Sequence, residues 1–260
     1  MTFPALEAEL DCWSARGERA TLWWRDDDAS RATPALARML AIAASHSVPL
    51  ALAVIPARLE GDLVATVAAA PRCTVVQHGF EHRNHAPAGE RNCELGAHRP
   101  LADSAVELVR GREQLQSAFG AQFLPVLVPP WNRIAPGIVA TLAALGYCGL
   151  STFAPRSAAS AAPGLAQCNT HVDPIAWRRG RAFIGEEEAA TRLVTHLTLR
   201  RQSRVDPAEP TGLLTHHLDF DDAAWRFVER LLARTLAHPA VDWVSGGVAF
   251  GPACSPTSGR

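Results

Sequence analysis

Three consecutive carboxylates close the run TLWWRDDDA at residues 21–29, where an apolar stretch meets Arg25 and then Asp26, Asp27 and Asp28. Ionised carboxylates side by side repel one another, so such a triplet is solvated, caps a helix or holds a cation. A second cluster, HGFEH, spaces His78 and His82 four residues apart. One helical turn would bring both imidazoles to the same side, a spacing that suits two nitrogen ligands on one zinc ion. A carboxylate from the triplet would complete a His-His-Asp set with room for water and substrate, and His85 is a spare ligand. In LLTHH, His216 and His217 adjoin, so only one of them can face a site. A histidine beside a metal has a pKa suited to protonating a leaving group near neutrality. Strand alternation would put Asp26 and Asp28 on one face, whereas a turn beginning at Asp27 would direct Asp27 and Asp28 together. Periodicity alone does not choose between them.

These residues need elements that bring them together. Apolar, β-rich runs at 20–26, 49–55, 73–79, 123–129, 147–153, 165–172, 212–220 and 242–248 read as strands. Helical patterns lie between them, from Thr33-Pro34 onward and at 59–70, 101–119, 136–146, 186–203 and 221–237. Thr33 reads as an N-cap with proline at the first helical position, and Asp221 and Asp222 suit the positive end of the last helix. Near-continuous apolar strands alternating with helices predict a parallel sheet covered by helices. Seven or eight units fit an α/β fold of the (β/α) barrel type, with an open doubly wound sheet as the rival. No GxGxxG or phosphate-loop motif supports a nucleotide-binding version of that rival. In a parallel barrel the strand C-termini open on one face. Asp26–Asp28, His78–His82, Pro129–Arg133, His171 with Asp173, and His216 with Asp219 would then converge on one rim. The polar stretch 80–100 should fold over one end, where Glu94 and Arg99 either contact substrate or form a solvated salt bridge.

The 260 residues carry a net charge of −1, which gives no electrostatic case for nucleic acid or an anionic membrane surface. Pairs such as Arg178-Arg179 and Arg200-Arg201 read as solvated faces. The first 20 residues have no basic leader with an apolar core, and no 18-residue uncharged apolar run occurs. A cytoplasmic protein without membrane contact is expected, with a small molecule or oligosaccharide as its partner. Six cysteines lie scattered without a CxxC pair and read as reduced thiols. No linker divides residues 1–260, so one domain is expected, and nothing in the chain sets an oligomeric state.

Taken in chain order, the clusters resemble the five motifs of the polysaccharide deacetylase family, the NodB-homology carbohydrate esterases. That resemblance implies a distorted (β/α) barrel of seven to eight parallel strands and a divergent, intracellular member of the family. It implies a metal-dependent hydrolase that removes acyl groups from amino sugars or similar amides. RDDDA matches TFDDG, which makes Asp27 the catalytic base and Asp28 a metal ligand, with Asp26 a neighbour. HGFEH matches H[S/T]xxH, which makes His78 and His82 the other ligands, of zinc first among divalent metals, and puts Gly79 where the family has a hydroxyl residue. VPPWN, with Trp131 and Asn132, meets RxPxG only in part. Val128 stands where the base-orienting arginine would be, and Arg25 or Arg133 is left to substitute. DPIAW supplies Asp173 and Trp177 for the fourth motif. LLTHH makes His216 the general acid, tuned by Asp173, while Trp131, Phe80 and Trp177 are candidates for a stacking wall. Relatives include metal-independent cyclic-amide hydrolases, so the fold alone does not name the bond cleaved. A non-catalytic sugar- or metabolite-binding barrel is the other alternative.

Overall fold

Short apolar runs bounded by polar turns form the strands in the computed structural model, which describes residues 3–254. The parallel core consists of β1 (Ala20–Ala29), β2 (Leu50–Val54), β3 (Cys73–His78), β4 (Phe123–Val128) and β5 (Gly149–Leu150). After them come β6 (Ser160–Ala162), β7 (Leu165–Gln167), β8 (Ile175–Ala176), β9 (Ala182–Phe183), β10 (Thr211–Thr215) and β11 (Val241–Trp243). The helices are α1 (Pro4–Ala15), α2 (Pro34–Ser45), α3 (Gly61–Ala68), α4 (Leu101–Phe119), α5 (Pro136–Val139), α6 (Glu186–Arg201), α7 (Asp222–Leu236) and α8 (Gly246–Phe250).

The strands run in the order β10-β1-β2-β3-β4-β5-β7, all parallel, with β6 added antiparallel to β7. Beyond β7 the chain bridges to both neighbours, Thr170 with Phe153 and Val172 with Leu213. The second bridge joins the last strand to β10 and closes a distorted seven-stranded barrel. β11 pairs in parallel with the first residues of β1 as an eighth strand. Side chains alternate across β1 as a strand requires. Leu22 and Trp24 join the layer beneath the helices, while Trp23 packs inside with Ala53, Val76 and Val128. Phe250 of α8 meets Trp23 edge-on at 5.8 Å and plugs the interior.

Thr33 accepts from the Leu36 N–H and Asp221 from the Ala224 N–H, so both helices start at the caps expected. Several expectations are corrected. The strand foreseen at 212–220 stops at Thr215, and the helix foreseen at 136–146 is α-helical only to Val139. α1 was not foreseen, although Leu6, Leu10 and Trp13 form the buried stripe of an amphipathic helix. The cysteines are not all thiols: Cys148 and Cys254 form a disulfide, because the chain end beyond α8 returns to the start of β5. Cys12, Cys73, Cys93 and Cys168 are free. Among the described residues no helix is long and apolar enough to cross a membrane.

Candidate active site

A bulge solves the problem posed by three adjacent aspartates. β1 pairs Asp26 with Leu52 but Ala29 with Val54, so one extra residue is accommodated between them. Asp28 takes it up at φ +75°. Asp26 therefore faces the helix layer, while Asp27 points into the barrel and Asp28 turns to its rim. Asp26 is fully buried and accepts from Thr215 Oγ1 at 2.6 Å, the His217 N–H at 3.0 Å and His217 Nδ1 at 2.5 Å. Each of the three carboxylates thus has its own partners, and their repulsion is met separately.

Arg25 lies two residues before Asp27 on the same strand face. Its Nε and one terminal nitrogen donate to the two Asp27 oxygens at 2.9 and 3.0 Å, a buried bidentate pair. The remaining donors reach Ser151 Oγ at 2.6 Å and Asn132 Oδ1 at 2.8 Å. Val128, where the resemblance would have an orienting arginine, packs in the barrel interior instead, and Arg25 is the arginine that contacts Asp27. Arg133 turns elsewhere, to the Asn92 carbonyl.

His78 ends β3. Its Nδ1–H donates to the Val128 carbonyl at 3.0 Å, which fixes the ring with Nε2 directed at the rim. His78 Nε2 and His82 Nε2 each lie 3.1 Å from the same Asp28 oxygen. All three ligand atoms fall within 4.8 Å of one another. Burial works to raise the Asp28 pKa, but hydrogen bonds and attraction from the two histidines hold it well below the ordinary carboxylate range. For His78, burial pulls down while Asp27 and Asp28 push up, and the net shift is upward.

The loop carrying His82 is organised by Glu94, which sequence reasoning placed at the substrate or in a solvated salt bridge. Glu94 is buried, and its carboxylate accepts the N–H groups of Phe80 at 3.1 Å and Glu81 at 2.7 Å. A Cβ on Gly79 would lie 1.9 Å from Glu94 Oε2, and Gly79 itself sits at φ +56°. The glycine in HGFEH is therefore the counterpart of Glu94. The other loop candidate, Arg99, pairs with Glu107 at 2.6 Å, and it also reaches His85.

A cleft of about 600 Å³ opens over Asp28, His78 and His82 and includes Trp131, Asp173 and His216. Trp131 and Asn132 both adopt left-handed backbone, φ +55° and +56°. This turn tilts the indole against His82, with ring centroids 4.5 Å apart. The Asn132 and Arg133 N–H groups bond within the turn, to Pro129 and Pro130, leaving that of Trp131 without an acceptor among the described residues. Phe80, the other proposed wall residue, is buried outside the cleft. Asp173 accepts from the Ile175 N–H at 2.9 Å and from Trp177 Nε1 at 2.6 Å. Burial raises its pKa, against the opposing attraction of His216. Trp177 packs edge-on against His216 at 4.6 Å, and His216 Nδ1 is buried without a partner.

His171 does not join this rim. It stacks on His196 at 3.5 Å and 17°, beneath α6 and 3.3 Å from Glu209. Nearly parallel rings direct their in-plane lone pairs side by side, so the geometry does not chelate an ion. Burial, with repulsion from His171 and Arg200, pushes the His196 pKa down to about 2. Asp219 does not line this cleft and pairs with Arg181.

No family model matches the chain, and no curated protein does. Solved structures do. A protein of Mycobacterium smegmatis assigned to the polysaccharide deacetylases aligns at TM-score 0.63 and 17% identity, over 88% of each chain. A family 4 acetyl xylan esterase from Clostridium thermocellum, in complex with a cobalt ion, aligns at 0.54 and 11%, over 87% of this chain and 88% of its own. A mutant of a CE4-family pseudoenzyme aligns at 0.57 and 13%, over 90% of this chain and 68% of its own. At such identities the likeness establishes architecture: the chain has the fold of the polysaccharide deacetylases.

Proposed function

We propose that the chain is a metal-dependent hydrolase of a C–N amide bond, a single barrel that removes an acyl group from an amino sugar or a comparable small molecule. The observation that carries this reading is the convergence of both histidine Nε2 atoms on one Asp28 oxygen, on the same cleft as His216. Asp28, His78 and His82 fit a divalent cation, because a His-His-Asp donor set with an open side suits zinc. The acetyl xylan esterase of the same fold holds cobalt. Bound there, the cation would polarise the acyl oxygen and lower the pKa of water toward about 7.

The remaining roles belong to the chain. Asp27 takes the proton of the attacking water, and its carboxylate is held by both arms of the Arg25 fork. The Trp131 N–H is free to donate to the developing oxyanion. His216 gives a proton to the departing amine, with Asp173 close enough to stabilise the imidazolium. The Trp131 ring borders the cleft as a wall for a sugar, while Trp177 carries Arg181 over its ring. Arg25 on Asp27 removes the reason, Val128, for preferring a metal-independent cyclic-amide hydrolase. A cytoplasmic location is part of this reading, and the Cys148–Cys254 pair is the observation that opposes it.

The test is metal content and acetate release from acetylated amino sugars, compared with Asp28→Ala and His78→Ala. About one ion per chain, lost with turnover in both variants, is expected. A wild type that binds no zinc after incubation would overturn the reading.

A further inference from the structure

Four guanidinium groups border the candidate cleft, from Arg133, Arg178, Arg181 and Arg192. They come from three places in the fold: the turn after β4, the β8–β9 hairpin and α6. Two are already paired. Arg192 meets Glu188 at 2.5 Å and donates to the Asp173 carbonyl, and Arg181 meets Asp219 at 3.2 Å. Arg133 donates only to the Asn92 carbonyl, at 2.7 Å. Neither Arg133 nor Arg178 has a carboxylate partner among the described residues.

The acidic side chains lining the cleft do not pair with Arg133 or Arg178. Asp28 faces the two histidines, and Asp173 is occupied by the Ile175 N–H and Trp177. The cleft thus keeps two guanidinium-bearing residues, Arg133 and Arg178, with no carboxylate partner among the described residues. Arg133 also lines the neighbouring cleft of about 610 Å³, so this residue stands where the two meet. Arg178 follows Trp177, whose ring packs against His216. A guanidinium presents paired donors that match carboxylate and phosphate oxygens.

Resting on the hydrolase reading, we propose that the substrate is anionic. It carries a carboxylate or a phosphate on its amine-bearing portion, bound by Arg178 with support from Arg133. The amine side follows from the hairpin, since the same short segment supplies Trp177 beside the proton donor and Arg178 next to it. Arg178 is exposed, as expected of a solvated face, and the proposal adds an anionic ligand to it.

Three substrates test it on the zinc-loaded protein: N-acetylglucosamine, N-acetylmuramic acid and N-acetylglucosamine 6-phosphate. Binding of the three corresponding free amines, which the reaction cannot consume, is measured in parallel by calorimetry. At least one anion-bearing compound should exceed the anion-free one by about tenfold in kcat/KM and in affinity, as one charge-assisted contact provides. Which one does so separates carboxylate from phosphate. The ratio should fall severalfold in Arg178→Gln and further in Arg178→Gln/Arg133→Gln, and it should shrink at high ionic strength. Thermal melting shows whether the variants are folded. Equal handling of all three compounds, or a ratio untouched in the folded double variant, overturns the proposal. No turnover of any compound with the binding preference intact overturns the hydrolase reading and upholds the anion site.

Discussion

At the scale of single residues, the site depends on how two charges are held. Arg25→Lys keeps the positive charge beside Asp27 but loses the planar fork that grips both oxygens. The expected result is a fall of about 10- to 100-fold in kcat with little change in KM, read from steady-state kinetics. Asp27→Asn should cost about 100-fold or more in kcat while metal content stays at the wild-type level. Loss of the metal in that variant would make Asp27 a ligand. Asp26 makes a different prediction. Burial is the largest single influence and lowers the His217 pKa, but Asp26, Asp28 and Asp219 together raise it by more, so its net shift is upward from 6.5. A histidine with a raised folded pKa contributes stability that is complete below the unfolded value and is lost as pH rises through the folded one. The melting temperature of wild type should exceed that of His217→Gln most at pH 6, and the gap should narrow above neutrality. A constant gap would show that His217 stays neutral. Which of the three aspartates does what was not legible from alternation, because the answer lies in one inserted residue at φ +75°.

At the scale of elements, the strand-to-loop junctions do the positioning. β3 ends on His78, and the next four residues must bend back so that His82 reaches the same Asp28 oxygen. Glu94 enforces that bend by gathering backbone N–H groups, and Gly79 provides the space. Gly79→Ala adds a Cβ against the carboxylate and against Pro130 at 2.6 Å, in backbone that disfavours any side chain. A loss of about 1–3 kcal/mol in stability is expected, with weaker zinc affinity in a chelator competition. Glu94→Gln, which fits the same space but loses one acceptor, should weaken zinc about 10-fold or more with a smaller change in melting. Unaltered affinity in both would reduce Glu94 to a loop fastener without consequence for the metal. The HxxxH spacing and its place at a strand end were legible, as were the parallel strands and the helix caps. The role of Glu94 was not, since a lone acid in a polar loop carries no periodic signal. The short hairpin of β8 and β9 was invisible for the same reason, yet it delivers Trp177 and Arg178 to the cleft.

At the scale of the whole molecule, the barrel closes twice. Val172 bridges Leu213 across the last seam, and Cys254 then ties the end of the described chain to Cys148. Neither closure has a local sequence signature, because the partners lie 41 and 106 residues apart and only the folded barrel brings them together. A crosslink spanning 106 residues constrains the unfolded chain strongly, and such bonds contribute about 2–4 kcal/mol. The protein purified without reductant should show four reactive thiols per chain after denaturation, the number left free in the fold. Cys254→Ser should lower the melting temperature by about 5–15 °C without changing metal content, since the bond lies at the barrel end opposite the ligands. Six thiols would mean that the pair stays reduced, as expected in a cytoplasmic compartment, and melting would then be insensitive to the substitution. The two outcomes therefore place the chain by its redox environment, while the site, which uses no cysteine, works the same way in either.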